Sequence, residues 1–578
     1  MSNIDQEMES PNKSRRINID LGFIYSISIF FCFFIQGGFS RVYWFSIVVF
    51  ALIYFSVKKI NIAIELDNKR IFISLLCLLA FAILNKENLS NSLAGDHWNH
   101  LQTAYIIPLK LLPALSKIFP NLAVSFVLWV YSCAISIFTI LMYVLYKKNK
   151  NFYIVLLVAI GLIITCIFYS MGISNNDAHP PLRVYPITLL GALGLQSLVF
   201  RLQGLIPLFL LTYWALEMLS DKRQKIIFLG FLYTLPVLFF NTLLVEFSIW
   251  TFSILTIYFL TIIKAPRLSE EQIVSFAVAF TLIGLVRQTA VFGLVLLFFH
   301  CILTKNTRPI FKLALISLPA VFQIIKSAIH GTPATYDPSE LFLDLPNNLS
   351  LLERLVLSMK DQTVSQLLAT SGVPSMLLVL FLLFFLGIKK QFKQIAIFVT
   401  AFVLFWILFH MIRPILWGVP RYQLEYIAPL VIVGFFTLQV KFINRLILIP
   451  MFFIITNIVS IIIAYQDMPT YKIDYPQYFT GETPYISELI FNIDEAIGST
   501  YHKCNGTFNI GDSNGTNFPL IFAGAKSEKF IKSVEAVNSD KDKSDVCVIE
   551  MLEGFKSGAY YNSVRNTSVT VQLKGISL

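Results

Sequence analysis

Two short polar loops hold the groups best suited to chemistry in this chain. The first, GDHWNHLQ (95–102), places Asp96, His97, His100 and Gln102 close together. A carboxylate such as Asp96 takes the proton of a hydroxyl nucleophile when it lies within hydrogen-bond reach of it. His97 and His100 suit hydrogen bonding to a phosphate or a sugar. Asp96 and His100 together offer two ligands to a divalent cation, too few to specify one. The second loop, SNNDAHPPLR (174–183), sets Asp177 and His179 ahead of Pro180 and Pro181. Those prolines stop a helix and stiffen the loop. A second acid there binds hydroxyls, orients a cation or tunes Asp96 through like-charge proximity. Arg183 either meets a phosphate or snorkels to an interface. The plain alternative for both aspartates is helix capping or loop solubilisation.

Two further clusters are cationic. Arg287 and Gln288 interrupt the apolar stretch TLIGLVRQTAVFGLVLLFF (281–299). An arginine in such a stretch is costly unless it reaches a headgroup, an acid or water. Guanidinium binds phosphate through paired hydrogen bonds, so phosphate is a natural partner. In HMIRPILWGVPRYQLEY (410–426), His410, Arg413, Arg421, Tyr422 and Glu425 surround a turn broken by proline and glycine. Arg421 and Glu425 are four apart and are expected to pair on one helix face. Arg413 or Arg421 would add a second cation beside Arg287 for a departing phosphate.

The elements that must position these groups are apolar. Of 578 residues, 56% are hydrophobic and 14% charged, with 53 Phe and a mean hydropathy of +0.70. Apolar stretches occupy 22–36, 42–57, 71–84, 121–146, 152–172, 226–243, 244–263, 310–325, 374–388, 394–412, 424–440 and 445–464, with one or two more within each of 184–219 and 272–304. At about 1.5 Å per residue these make roughly eleven to fifteen membrane helices. The formal charge of +11 does not point to nucleic acid, because much of it lies in short Lys/Arg clusters between apolar stretches, where it sets orientation. Placing Arg15 and Arg16 inside brings Lys58, Lys69, Lys147, Lys222, Lys264, Lys305, Lys389 and Lys441 inside as well. The loops of Asp96, Asp177, Arg287 and His410–Glu425 then share the outer face.

The expected fold is an all-α polytopic membrane protein with a small C-terminal extracytoplasmic α/β or mostly β domain. Its parts are a cytoplasmic tail (1–20), a multi-pass domain (21–465) and the extracytoplasmic domain (466–578). Turn-rich stretches and alternating runs such as VCVIEM (546–551) and SVTVQL (568–573) suggest strands in that last part. Cys504 and Cys547 would pair if the tail faces an oxidising space. No CxxC is present, and thiolate metal binding is not expected.

The order of these motifs resembles the GT-C superfamily of polyprenyl-phosphate-sugar-dependent membrane glycosyltransferases. The resemblance spans roughly residues 20–465 and implies a GT-C-like helical bundle. It carries the general-base role onto Asp96 in the first outer loop and a second acid onto Asp177. PRYQLEYIAPLVIVG (420–434) is similar to the arginine–tyrosine start of a late helix in such families. A narrower likeness is to the dolichyl-phosphate-glucose α-1,2-glucosyltransferase family, carried by Asp96–His100–Gln102, Arg287–Gln288–Thr289 and His410–Arg421–Tyr422.

The implied function is transfer of a sugar from a polyprenyl-phosphate donor to a lipid-linked glycan or other envelope acceptor, on the non-cytoplasmic face of a bacterial inner (plasma) membrane. Asp96 and Asp177 would be catalytic. His97, His100, Gln102, His179, Arg183, Arg287, Gln288, His410, Arg413, Arg421, Tyr422 and Glu425 would bind substrate. No cofactor is required, although a divalent cation is compatible. The partners are the donor, the acceptor and membrane lipid, not nucleic acid. The rival readings are a polysaccharide polymerase or ligase using a diphospholipid glycan, and a transporter, which would show paired repeats and mid-membrane charges.

Overall fold

A computed structural model describes residues 15–36, 61–85, 124–148, 151–170, 181–191, 202–219, 221–241, 247–329, 373–407, 420–442, 447–466, 508–511, 547–551 and 571–574, with single positions at 115, 118 and 193. Strand β1 (Arg15–Asp20) pairs antiparallel with β2 (Asn61–Leu66), Arg15 opposite Leu66 and Asp20 opposite Asn61. Helices α1 (Leu21–Gln36) and α2 (Asn68–Leu84) follow the two strands. An aspartate caps each helix start. Phe23 N donates to Asp20 Oδ1 at 3.1 Å, and Lys69 N to Asp67 Oδ1 at 2.9 Å. Such caps satisfy N–H groups that the helix leaves open.

The chain continues through α3 (Val124–Lys147), α4 (Asn151–Ser170), a 3-10 turn (Pro181–Val184), α5 (Tyr185–Gly191) and α6 (Leu205–Met218). Pro236 starts α8 (Pro236–Asn241) directly after α7 (Lys222–Thr234), so the single apolar stretch 226–243 becomes two helices. A proline fits the first position of a helix, where its missing N–H costs nothing. Next come α9 (Ser248–Lys264), α10 (Glu270–Gly284), a second 3-10 turn (Gln288–Ala290), α11 (Val291–Leu303) and α12 (Ile310–Ile329). The last helices are α13 (Val373–Ile388), α14 (Phe392–Ile407), α15 (Pro420–Phe442) and α16 (Leu448–Gln466).

The core centres on α9 packed along α15. Ile249, Phe252, Leu255, Tyr258 and Leu260 of α9 are at most 0% exposed, and Ile427–Val433 of α15 is as deeply buried wherever described. A helix apolar on every side belongs inside other helices. Phe231 of α7 stacks on Phe435 with ring centroids 3.8 Å apart. On α15, Gly434 lets α13 approach. A Cβ there would meet Leu378 O at 2.4 Å and Leu378 C at 2.8 Å.

The expected polytopic bundle is corrected. Among the described residues one helix, Trp129–Lys147, is long and apolar enough to cross a membrane by length and composition. The other apolar helices counted there run 10–17 residues. Caps and a proline mark where several helices start, as at Asp221, Pro236 and the Ser269–Gln272 capping box. The expected C-terminal α/β or mostly β domain is corrected too. The described residues of 466–578 beyond α16 are the short strands β3 (Phe508–Gly511), β4 (Cys547–Met551) and β5 (Val571–Lys574), which form no domain-sized core. β3 runs parallel to β4, and β4 antiparallel to β5. Cys504 lies outside the described residues.

Gly434→Ala is expected to destabilise the purified protein by ~1–3 kcal/mol, because backbone on α13 cannot move aside as a side-chain tip can. Gly387→Ala, where a Cβ meets nothing within 4 Å, is expected to be neutral or stabilising by ~0.5–1 kcal/mol. Thermal unfolding of the two variants side by side checks this. Equal melting temperatures would refute the close contact.

Candidate functional site

The residues around Arg287 make the polar focus of the described structure. α10 stops at Gly284, and Arg287 N donates to Ile283 O at 2.6 Å as the last turn closes. Arg287 itself is extended (φ −141, ψ 114), and the 3-10 turn after it leads into α11. The break turns the guanidinium out of the helical ladder toward α15. Arg287 Nε donates to Glu425 Oε1 at 2.7 Å, with Glu425 0% exposed and Arg287 20%. A buried carboxylate needs a paired cation and further hydrogen bonds to offset its desolvation. Arg287 provides the cation.

Neighbouring elements close around this pair. Leu182 N donates to Leu285 O at 3.0 Å, which ties the 3-10 turn carrying Arg183 to the break carrying Arg287. Arg183 is buried, 3% exposed. Thr289, two residues after Arg287, has its Oγ1 at 3.4 Å from Thr251 Oγ1 on the first turn of α9. Glu425 Oε2 and Ser248 Oγ are buried without a hydrogen-bond partner. Ser248 and Thr251 are three apart and share a helix face.

The opposite end of the helices is ionic in a different way. α10 begins at Glu270, whose Oε1 accepts from Lys312 Nζ at 2.9 Å. Arg70 bonds Asp67 Oδ2 at 3.1 Å and Glu217 Oε2 at 3.2 Å. The Gln439 amide near the far end of α15 donates to Gln224 O on α7 at 3.2 Å. The ion pairs among these are exposed or half-exposed and are screened by solvent, so each adds little. The bonded Lys312 ammonium holds the Glu270 carboxyl below its ordinary range, and Arg308 adds to the effect. That contribution is present at neutral pH and is lost as pH falls through the lowered value. Lys264, Arg267, Lys305 and Arg308 stand in the segments that join α9 to α10 and α11 to α12, at this same end.

Of the residues singled out in the sequence, Arg183, Arg287, Gln288 and Glu425 come together at one end of the helices. Asp96, His97, His100, Gln102, Asp177, His179, His410 and Arg413 lie outside the described residues. Arg421 and Tyr422 stand on the first turn of α15, with side chains outside the described set. Glu425 pairs with Arg287 across 138 residues of sequence. Ser248 and Thr251 went unread as site residues, and Thr289 entered only through the Arg287–Gln288–Thr289 likeness, since hydroxyls in apolar stretches usually bond their own helix. Their one signal is placement within a turn of a helix start. Among the described residues no group of three or more His, Cys, Asp and Glu is spaced to hold a metal.

Compared with known proteins, the chain matches no family model, no curated protein and no solved structure.

Arg287→Met is expected to destabilise the protein by ~3–5 kcal/mol, because it strands the Glu425 charge in the core. The double variant Arg287→Met/Glu425→Leu should recover most of that loss, since an apolar pair of similar volume replaces the ion pair. Chemical unfolding of the single and double variants gives the answer. Additive losses in the double variant would mean that the two charges do not depend on each other.

Proposed function

We propose that this chain transfers a sugar from a polyprenyl-phosphate donor to a lipid-linked glycan or other envelope acceptor. The observation that carries the reading is the buried Arg287–Glu425 pair, set beside the Arg183 turn at the end away from the lysine-rich ends of the helices. A guanidinium in that position suits a phosphate held at the boundary of an apolar body. Exposed apolar side chains support a lipid setting. Phe72 on α2 is 66% exposed, Phe152 on α4 73% and Phe384 on α13 68%. Apolar surface on this scale is ordinarily covered by lipid or by a partner. In this reading the arginine site works on the non-cytoplasmic side.

In this reading Asp96 takes the proton of an acceptor hydroxyl as its oxygen attacks the anomeric carbon. The bond from that carbon to the donor phosphate oxygen breaks, and the polyprenyl phosphate leaves with the bonding pair. Arg287 stabilises the departing charge, with Arg183 and either Arg413 or Arg421 as further cations. Asp177 orients hydroxyls or tunes Asp96. The chemistry needs no redox step and no cofactor.

The test is transfer of radiolabel by the purified full chain in lipid nanodiscs, using a panel of polyprenyl-phosphate sugars with extracted lipid acceptors. Label should pass from at least one donor to a lipid or glycan product. Asp96→Asn should fold normally and lose ~10²–10⁴-fold in initial rate at saturating donor, as expected for loss of a positioned base. A rate within about twofold of wild type removes Asp96 as the base and turns attention to Asp177. Absence of transfer from every donor in the panel would sink the reading.

A further inference from the structure

Buried polar atoms nearly always have a hydrogen-bond partner. One that lacks a partner is either a cost to the fold or part of a place built for a ligand. Two such atoms flank the Arg287 break. Glu425 is wholly buried; its Oε1 is held by Arg287 Nε at 2.7 Å, and its Oε2 has no partner. The arginine therefore fixes the carboxylate and leaves one strong acceptor unused. Ser248 is also wholly buried, with Oγ unpartnered, on the first turn of α9. α9 packs along α15, which carries Glu425. Thr251, on the Ser248 face of α9, meets Thr289 at 3.4 Å, two residues past Arg287. The carboxylate oxygen and the hydroxyl thus stand at one end of adjacent helices, next to the guanidinium. Trp250 Nε1 is unpartnered as well. It sits about 200° round the helix from Ser248, so it belongs to another face.

From this we infer that Glu425 Oε2 and Ser248 Oγ form a hydroxyl-recognition subsite for the neutral sugar ring of the donor, beside the phosphate position at Arg287. The inference rests on the transfer reading above and adds which sugars fit. Glu425 Oε2 accepts a hydrogen bond from a ring hydroxyl, and Ser248 both donates and accepts. Arg287 serves the phosphate and Glu425 Oε1, so the charged group left for the ring is an acceptor, Glu425 Oε2. A uronic acid would instead set its carboxylate against that of Glu425, a like-charge contact. The class selected is therefore neutral hexoses and pentoses.

Three probes decide the matter when titrated onto the purified full chain in nanodiscs: a short-chain polyprenyl phosphate, its neutral hexosyl derivative and its uronosyl derivative. The wild type should bind the hexosyl lipid at least about tenfold more tightly than the sugar-free phosphate, as one charge-assisted hydrogen bond predicts. The uronosyl lipid should gain nothing over the sugar-free phosphate. Glu425→Gln should abolish most of the hexosyl advantage, and Ser248→Ala should reduce it about three- to tenfold, the value of a neutral hydrogen bond. Ser248→Ala should bind sugar-free phosphate within about threefold of wild type, and each variant's hexosyl advantage is taken against its own phosphate affinity. If Glu425→Gln does not fold, Ser248→Ala decides alone. A hexosyl advantage that survives in the folded variants, or an equal advantage for the uronosyl lipid, overturns the subsite. If the wild type binds the sugar-free phosphate but shows no hexosyl advantage, the subsite fails and the phosphate-donor reading stands. If it binds none of the three lipids, that reading fails and the subsite with it.

Discussion

A fully buried carboxylate sets the terms for one end of this molecule. Glu425 has no access to water and takes its compensation from Arg287, on a segment 138 residues away. In a low-dielectric interior neither charge is tolerable alone. The arginine must therefore leave its own helical ladder to reach the acid. The chain breaks between α10 and α11 at Arg287, and the 3-10 turn that follows sets Thr289 against Thr251. The backbone bond from Leu182 to Leu285 then draws the Arg183 turn to the same place. Several separate segments are registered against one another by a single charge requirement.

The apolar packing makes that requirement strict. α9 and α15 form the dry centre of the core, and Gly434 brings α13 so close that even a methyl group would meet its backbone. Helices held this tightly fix the height of Glu425 relative to Ser248 and Thr251. The same rigidity gives an unpartnered Glu425 oxygen chemical meaning, because the carboxylate cannot swing away to find another donor. At the far end the ion pairs Lys312–Glu270 and Arg70–Glu217 are partly open to solvent and tolerate change better. One end is therefore built for specific contacts, while the other sets charge and orientation.

Helix positions were legible where apolar runs were long and bounded by capping residues. α2, α9 and α13 run close to the stretches 71–84, 244–263 and 374–388. Pro236 was a visible breaker, yet the run across it read as one segment because hydropathy is blind to a single backbone N–H. The inference from apolar runs to many bilayer crossings went further than the described residues bear out. Composition records how apolar a stretch is, whereas caps and packing decide how much of it is one helix, and only Trp129–Lys147 meets both conditions among the described residues. Residues 15–20 read as a basic tail, but they form a strand whose partner lies beyond the next helix. Local pattern carries no information about such a partner.

The sequence by itself determined that the chain is mostly helical and apolar, that its lysines gather between apolar runs, and that Arg287 and Glu425 are costly residues in need of a reason. Side-chain chemistry and spacing along the chain are enough for statements of that kind. Only the tertiary structure decided what the reason is. Spacing favoured Arg421 as the partner of Glu425, because residues four apart face each other on a helix. The folded chain presents Arg287 from the break between α10 and α11, a cation that packing brings to the desolvated carboxylate. Ser248 and Thr251 tell the same story: ordinary hydroxyls in an apolar run, they become notable once α9 sets them at the end where the arginine break lies. Which distant groups share one dry volume is a property of packing, and no local pattern encodes it.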